Sequence, residues 1–223
     1  MLNAARREIH EYVEGFGDLA PFGYQQPDGL LSDAAPKRMT SASKLVPDIR
    51  TAPVECGIRG GATLSFHHHL RNGDQVMNSV LAEADRMGLR NLTIAPSSIF
   101  PVHAPLVDLI RHGVITQIYT EYASGPVADA IVASLLPRPV IVQTHGGRAR
   151  SIEASELQID SAFIAALSAD NYGNISGVTG PTACRPLGYA VADAQIRETR
   201  RRDHRQPCPL SCVSLRDFAG AHR

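Results

Sequence analysis

Two hydrophobic periodicities alternate along the middle of the chain, and each predicts a different element. The stretch 62–66 is short and mostly apolar, with the character of a β-strand, and apolar residues then recur at helical spacing over 76–87. Asp74 is placed to begin that helix and Gly88 to end it. A polar turn, 67–73, therefore separates the end of a strand from the start of a helix.

The same alternation continues to about residue 195. Strands are predicted over 92–95, 114–119 and 140–144, helices over 105–112 and 127–136, and a further apolar run lies over 159–165. Because a helical stretch separates each strand from the next, the connections should be right-handed crossovers between parallel strands. The predicted fold class is α/β, with an open, mainly parallel sheet.

The two ends of the chain differ from its middle. Residues 1–50 carry several prolines among polar residues, with a possible short helix over 4–13, and are interpreted as a loosely structured arm. Residues 196–205 contain five arginines where the fold would need its next buried strand. The predicted organisation is an arm over 1–50, an α/β domain over 51–195, and an aberrant basic tail over 196–223.

Composition narrows the class of protein. The 223 residues are 43% hydrophobic, enough to bury one α/β core, and the formal net charge is zero, which gives no reason to expect nucleic acid. No apolar run could span a bilayer and no signal peptide is visible, so a cytoplasmic location is expected. The four cysteines show no disulfide framework and are expected to be reduced thiols.

The densest cluster of chemically useful side chains lies in the polar turn after the first predicted strand. His67, His68 and His69 are consecutive, and Arg71 follows. At the carboxyl end of a parallel strand, next to a helix N-terminus, these donors suit a carboxylate or a thioester oxyanion. A metal site is one alternative, but consecutive strand residues point to opposite faces and no Cys or carboxylate lies at ligand spacing. A plain solvated loop is the other alternative.

Polar or glycine-rich loops follow the other predicted strands, and in a parallel sheet such loops gather at one edge. The candidate residues in them are Ser97, Ser98, His145, Gly146, Gly147, Arg148, Arg150, Asp170 and Asn174. The adjacent glycines would let backbone N–H groups approach a ligand, and either arginine could bind a carboxylate through two hydrogen bonds. A tight turn without ligand contact is an equal alternative for the His-Gly-Gly segment.

Several short motifs, taken in order, resemble a known family. They are SFHHH at 65–69, NLTIA at 91–95 with Ser97 and Ser98, HAPL at 103–106, HGGR at 145–148, Asp170 with YGN at 172–174, and LGYA at 187–190. Their order and spacing resemble the citrate lyase alpha chain, which the present sequence would match only over its N-terminal half. That family is similar to family I CoA-transferases.

The resemblance implies a fold, an activity and a site. The fold would be the first of two domains of the NagB/RpiA/CoA-transferase-like type, truncated at its C-terminus. The activity would exchange acetyl for citryl on an acyl carrier subunit and release acetate. The histidine loop 67–69 would supply oxyanion donors, and Arg71, Arg148 and Arg150 would bind the carboxylates of citrate.

The resemblance also implies partners. No metal or cofactor would be bound directly, because the acyl group is carried on the phosphopantetheine-type group of the acyl carrier. The expected partners are citrate, the citrate lyase beta chain and the acyl carrier (gamma) chain, with no nucleic acid and no membrane. The glutamate that related transferases use as a nucleophile lies in their second half. A non-catalytic carboxylate-binding or complex-assembly domain is therefore the alternative function.

Departures from the family pattern bear on these expectations. Pro53 lies where the family has a helix, so it either removes a helical hydrogen bond or forms a first turn. The segments 121–123 and 184–186 also differ from the family. For the basic tail, a frameshift near Gln195 is the hypothesis that fits best, because shifted codons can encode an apolar strand. A solvated tail and a short nucleic-acid-binding arm are the alternatives.

Overall fold

The computed structural model describes residues 8, 10–15, 17–18, 48–49, 51–67, 71–164, 166, 168–169, 175–176, 190 and 192–193. The chain divides into two compact units, residues 1–41 and 42–223. In the first unit, β1 (Tyr12–Val13) pairs antiparallel with β2 (Gly17–Asp18). The possible helix over 4–13 is therefore wrong at its C-terminal end, because Gly15 and Gly17 adopt positive φ and turn the chain back.

The second unit contains an open sheet in which every described pairing is parallel. Its strands are β3 (Thr63–His67), β4 (Leu92–Pro96), β5 (Ile115–Thr120), β6 (Ile141–Val142) and β7 (Ser161–Ile164), in the order β6-β5-β4-β3-β7. The α/β fold class with an open parallel sheet is thus confirmed. A separate antiparallel pair joins β8 (Ser168–Ala169) to β9 (Ile175–Ser176).

Helices precede or connect the strands of this sheet. They are α1 (Ala52–Glu55), α2 (Val76–Arg86), α3 (Leu106–Arg111), α4 (Pro126–Val132) and α5 (His145–Glu153). Gly88 and Gly113 follow α2 and α3 at φ +75° and +71°, the left-handed conformation that ends a helix. The N-cap of α2 is Gln75 and not Asp74, although an Asp74 carboxylate oxygen accepts the Val76 N–H at 3.0 Å.

Two local predictions about helices are settled by α1 and α5. Pro53 lies in the first turn of α1, where its missing N–H has no helical partner to lose, so it starts the helix and does not break it. The prediction of a loop over 145–150 is wrong, because these residues form the first two turns of α5. The Thr144 side chain caps this helix by accepting the Gly147 N–H at 3.0 Å.

Apolar side chains cover both faces of the sheet. On one face, Leu64 and Phe66 of β3 pack with α1 to α4, and the Phe66 ring stacks on Phe163 of β7 at a centroid distance of 5.0 Å. On the other face, small strand residues pack against Ile152 of α5. Because side chains alternate along a strand, Ser65 points to the α5 face. The fold therefore directs a polar side chain of the central strand towards α5.

Two further observations concern the cysteines and the possibility of a membrane-spanning helix. Cys56 is disulfide-bonded, with a partner outside the described residues. The prediction of four reduced thiols is therefore wrong at Cys56, since spacing along the sequence does not show which cysteines meet in the fold. Among the described helices, none has both the length and the apolar character needed to cross a membrane.

Candidate functional site

The carboxyl ends of the parallel strands bring most of the described candidate residues to one edge of the sheet. His67 ends β3, Ser97 and Ser98 follow β4, and α5 begins shortly after β6. The chain leaves β3 towards β4 on one side, while β7 returns to pair with β3 on the other, with His67 beside Ile164. Open α/β sheets bind ligands where the strand order reverses in this way. His67 therefore lies at the favoured position for a ligand crevice.

The candidate residues differ in how far they are buried at this edge. His67 is half-buried, Ser97 is buried and Ser98 is half-buried. Arg71 opens a short 3-10 helix, Arg71–Gly73, that follows the histidine run. His68, His69, Asp170 and Asn174 lie outside the described residues, so the predictions for them remain predictions.

Hydrogen bonds join the loops after β3, β4 and β5 to one another. The Asn72 side-chain oxygen accepts the Val102 N–H at 2.9 Å, which connects the loop after β3 to the loop after β4. The Ile99 N–H donates to the Tyr122 carbonyl at 2.8 Å, and the Ser124 N–H donates to the Ile99 carbonyl at 2.9 Å. These bonds connect the loops after β4 and β5. The carboxyl edge is therefore a connected framework.

The first turn of α5 presents its two glycines differently. His145 and Gly146 are exposed, and a Cβ added at Gly146 would meet nothing within 4 Å. A Cβ at Gly147 would lie 3.0 Å from the capping Oγ1 of Thr144. Gly147 thus serves the cap, whereas Gly146 leaves open space at the N-terminus of a nine-residue helix.

Arg148 extends from α5 into the interior and contacts the ends of several strands. It is fully buried, and its Nη2 donates to Ser65 Oγ at 2.9 Å and to the Ala95 carbonyl at 2.5 Å. Its Nη1 lies 3.7 Å from Glu121 Oε1, and its Nη2 lies 3.9 Å from Asp193 Oδ2. Ser65 Oγ in turn donates to Asp193 Oδ2 at 2.5 Å. We refer to Ser65, Glu121, Arg148 and Asp193 as the buried charge cluster.

The cluster places two carboxyl groups around one guanidinium with almost no access to solvent. Glu121 keeps 4% of its side-chain surface exposed and Asp193 keeps none. Burial raises the pKa of the Asp193 carboxyl, and the Arg148 charge and the Ser65 hydrogen bond oppose the rise without cancelling it. Asp193 therefore holds its proton to higher pH than an exposed aspartate does.

Arg150 lies on the same helix but takes no part in this cluster. Its side chain is exposed, and its Nη1 donates to Glu156 Oε1 at 2.8 Å. The hydrogen bond from Arg150 lowers the pKa of the Glu156 carboxyl. The structure thus brings Arg148 against the strand ends and leaves Arg150 on the surface; a ligand contact by either arginine remains a prediction.

Glu121 and Asp193 were not among the candidates from sequence. Glu121 follows β5 directly, so an acidic residue at the end of a buried parallel strand was the available signal. Asp193 had no local signal, because its partners Ser65 and Arg148 are distant along the chain. Within the described part of the chain, no group of three or more His, Cys, Asp or Glu side chains could hold a metal ion.

Known proteins of one family are similar in sequence to the present chain. A family model for the citrate lyase alpha subunit matches residues 42–200. The citrate lyase alpha chain of Escherichia coli K12 is 45% identical over 151 residues, and that of Klebsiella pneumoniae is 43% identical over 152 residues. Each match covers 68% of the present chain and 30% of the relative. The chain thus spans less than one third of the length of these curated relatives.

A solved structure shows the same similarity in three dimensions. It is a crystal structure described as the alpha subunit of citrate lyase from Streptococcus mutans in complex with citrate. Its sequence is 41% identical to the present chain, and the two structures superpose with a TM-score of 0.66. The match covers 86% of the present chain and 38% of the solved one.

Proposed function

The chain belongs to the citrate lyase alpha subunit family, and from that premise we propose that its carboxyl edge is the citrate-recognising part of a citryl-transfer site. The observation that carries the proposal is the coincidence of two facts. The family match runs through 42–200, and within it the segments after β3, β4 and β6 lie at one edge of the sheet. The relative from Streptococcus mutans is described in complex with citrate.

The reaction proposed is the replacement of acetate by citrate on the thiol of an acyl carrier. The carbon–sulfur bond of the acetyl thioester breaks, and a carbon–sulfur bond to a carboxyl carbon of citrate forms. The oxygen that this carboxyl loses leaves with the acetyl group as acetate, so the exchange needs no oxidant and no net proton. The sulfur belongs to the phosphopantetheine-type group of the carrier.

The chemistry places two demands on the protein side of the site. Citrate brings three carboxylates, which favour nearby N–H donors and cationic side chains, and the attacked carbonyl oxygen gains negative charge in the transition state. His67 at the end of β3 supports the second role, and the open turn of α5 at Gly146 supports the first. Removal of one oxyanion donor commonly costs about 3 to 4 kcal/mol of transition-state stabilisation.

The complete reaction, the partner subunits and the location in the cell are further parts of the proposal. The chain covers 30% of the length of its curated relatives, and the complete transfer reaction is proposed from its membership of their family. We propose the citrate lyase beta chain and the acyl carrier (gamma) chain as partners, and the cytoplasm as the location. Co-purification of the tagged chain with these two subunits, and fractionation of the cell, test those two proposals.

Citrate titration by calorimetry tests the core of the proposal. The wild-type chain should release or absorb heat on binding citrate, and His67→Ala should weaken the binding. His112→Ala is the control, because it removes an imidazole that is exposed to solvent between α3 and β5, at the opposite edge of the sheet. Equal affinities of the two variants would argue against the carboxyl edge as the citrate site. Transfer of citryl from citrate to an acetyl-loaded carrier tests the reaction itself.

A further inference from the structure

One guanidinium contacts residues of two strands and the residue that follows a third, and it belongs to the helix that follows a fourth. Arg148 bonds to Ser65 in β3 and to Ala95 in β4, and it lies within ion-pair distance of Glu121 after β5. Its own backbone is part of α5, which follows β6. Hydrogen bonds between main-chain and side-chain groups already join the loops after β3, β4 and β5, and Arg148 adds α5 to that framework. Arg148 therefore connects the elements that converge on this edge.

The two residues that accept hydrogen bonds from the Arg148 Nη2, Ser65 and Ala95, lie close in sequence to segments of the proposed site. Ser65 is two residues before His67, and Ala95 is two residues before Ser97. Arg148 itself directly follows Gly147 in the first turns of α5. A displacement of the guanidinium would move these segments relative to one another.

The stability of the fold does not by itself account for such a cluster. Burying ionised groups carries a desolvation cost, and apolar side chains of similar volume often serve a core as well or better. Two carboxyl groups around one cation make the cost larger, and burial correspondingly raises the pKa of the Asp193 carboxyl. The geometry that the cluster imposes is the property that an apolar replacement would lose.

We propose that Arg148 is a positioning residue of the citryl-transfer site, held between Glu121 and Asp193 so that β3, β4, β5 and the start of α5 present one ligand-binding surface. This inference rests on the proposed function. Its role is distinct from direct contact with citrate, because the guanidinium is fully buried and directed into the protein.

The test uses the full chain and separates geometry from stability. Arg148→Met alone removes the guanidinium that lies between two buried carboxyl groups, so it should lower the thermal unfolding midpoint strongly. Arg148→Met combined with Glu121→Gln removes one charge of each sign and should recover most of that loss. Arg150→Met is the matched control, because it removes an exposed arginine from the same helix.

We expect the double variant to fold and still bind citrate about tenfold or more weakly, since losing the alignment of one hydrogen bond to a carboxylate corresponds to about tenfold or more in affinity. Wild-type affinity in a folded double variant would overturn the proposal. Arg148→Lys serves if the double variant does not fold. It keeps the charge but lacks the planar set of donors that reaches Ser65 and Ala95 together, so the same loss of affinity is expected.

A second readout does not depend on citrate. Amide NMR signals of His67 and Ser97, which are distant in sequence from α5, should shift in Arg148→Lys and stay unchanged in Arg150→Met. Unchanged signals in Arg148→Lys would overturn the positioning role. If the wild-type chain binds no citrate, the proposed function fails, and these signals still decide whether Arg148 positions the edge.

Discussion

The two adjacent glycines of α5 give a prediction in which one residue is the control for the other. Gly146 and Gly147 both lie in the first turn of the helix, and neither has a positive φ, so alanine can adopt either backbone conformation. An added Cβ has open space at Gly146, but at Gly147 it lies 3.0 Å from Thr144 Oγ1. Only the second substitution disturbs the helix cap.

The expected free energies follow from these distances. Alanine in place of glycine stabilises a helix interior by up to about 1 kcal/mol, and somewhat less near an end. Loss of a side-chain N-cap costs about 1 kcal/mol. Gly146→Ala should therefore raise the free energy of unfolding by about 0.5 to 1 kcal/mol. Gly147→Ala should leave it near the wild-type value, because the helix gain and the cap loss offset each other.

Thermal unfolding of the two variants beside the wild-type chain checks this difference. For a chain of this size, 1 kcal/mol corresponds to a midpoint shift of about 2 to 4 °C. A higher thermal unfolding midpoint for Gly147→Ala than for Gly146→Ala would refute the roles assigned to the two glycines. Citrate titration adds a second outcome, because a ligand that approaches Gly146 should be hindered by the added methyl group even though the fold is more stable.

The remaining predictions concern charge and packing. Burial raises the pKa of Asp193, so the folded chain binds more protons than the unfolded chain, and stability should fall as pH rises from the ordinary aspartate value through the raised one. Asp193→Asn should abolish that decline in the thermal midpoint; an unchanged slope would contradict the assignment. Arg150→Ala should return the pKa of Glu156 towards its ordinary value, as NMR titration of the carboxyl carbon would show. Phe163→Ala should cost about 3 to 5 kcal/mol in urea unfolding, since it removes the ring stacked on Phe66.

Hydrophobic periodicity was sufficient to predict most of the strands of the parallel sheet. The strands β3, β4 and β5 are buried on both faces, so they appear in the sequence as short apolar runs, and the predicted bounds differ from the observed ones by one residue or none. The strand predicted over 140–144 is shorter, because β6 is an edge strand with Val142 67% exposed. An edge strand has fewer contacts to extend it.

The helix α5 could not be predicted from the same signals. Two glycines and several polar residues give it low intrinsic propensity, and its arginine at position 148 is buried where periodicity expects an apolar residue. The cap from Thr144 and the tertiary contacts of Arg148 specify it instead. Such contacts depend on the assembled sheet, which local sequence does not describe.

Only part of the site could be predicted, because some of its contacts also depend on the assembled sheet. His67, Ser97 and Arg148 could be assigned to one edge, because parallel strands end on the same side. Glu121 and Asp193 complete the charge around Arg148, but they are remote from it in sequence and become neighbours only through the fold. The structure shows Arg148 buried against β3 and β4, and its contact with citrate stays a prediction.

Residue-resolved NMR of the wild-type chain during citrate titration tests the central claim most directly. Amide signals should shift at the carboxyl edge, at His67, Ser97, Ser98 and residues 145–147. Signals at the amino edge, at the last residue of α3, Arg111, and at His112 after it, should stay in place. Shifts centred on that opposite edge, or no saturable shift at all, would contradict the assignment of the carboxyl edge as the citrate site.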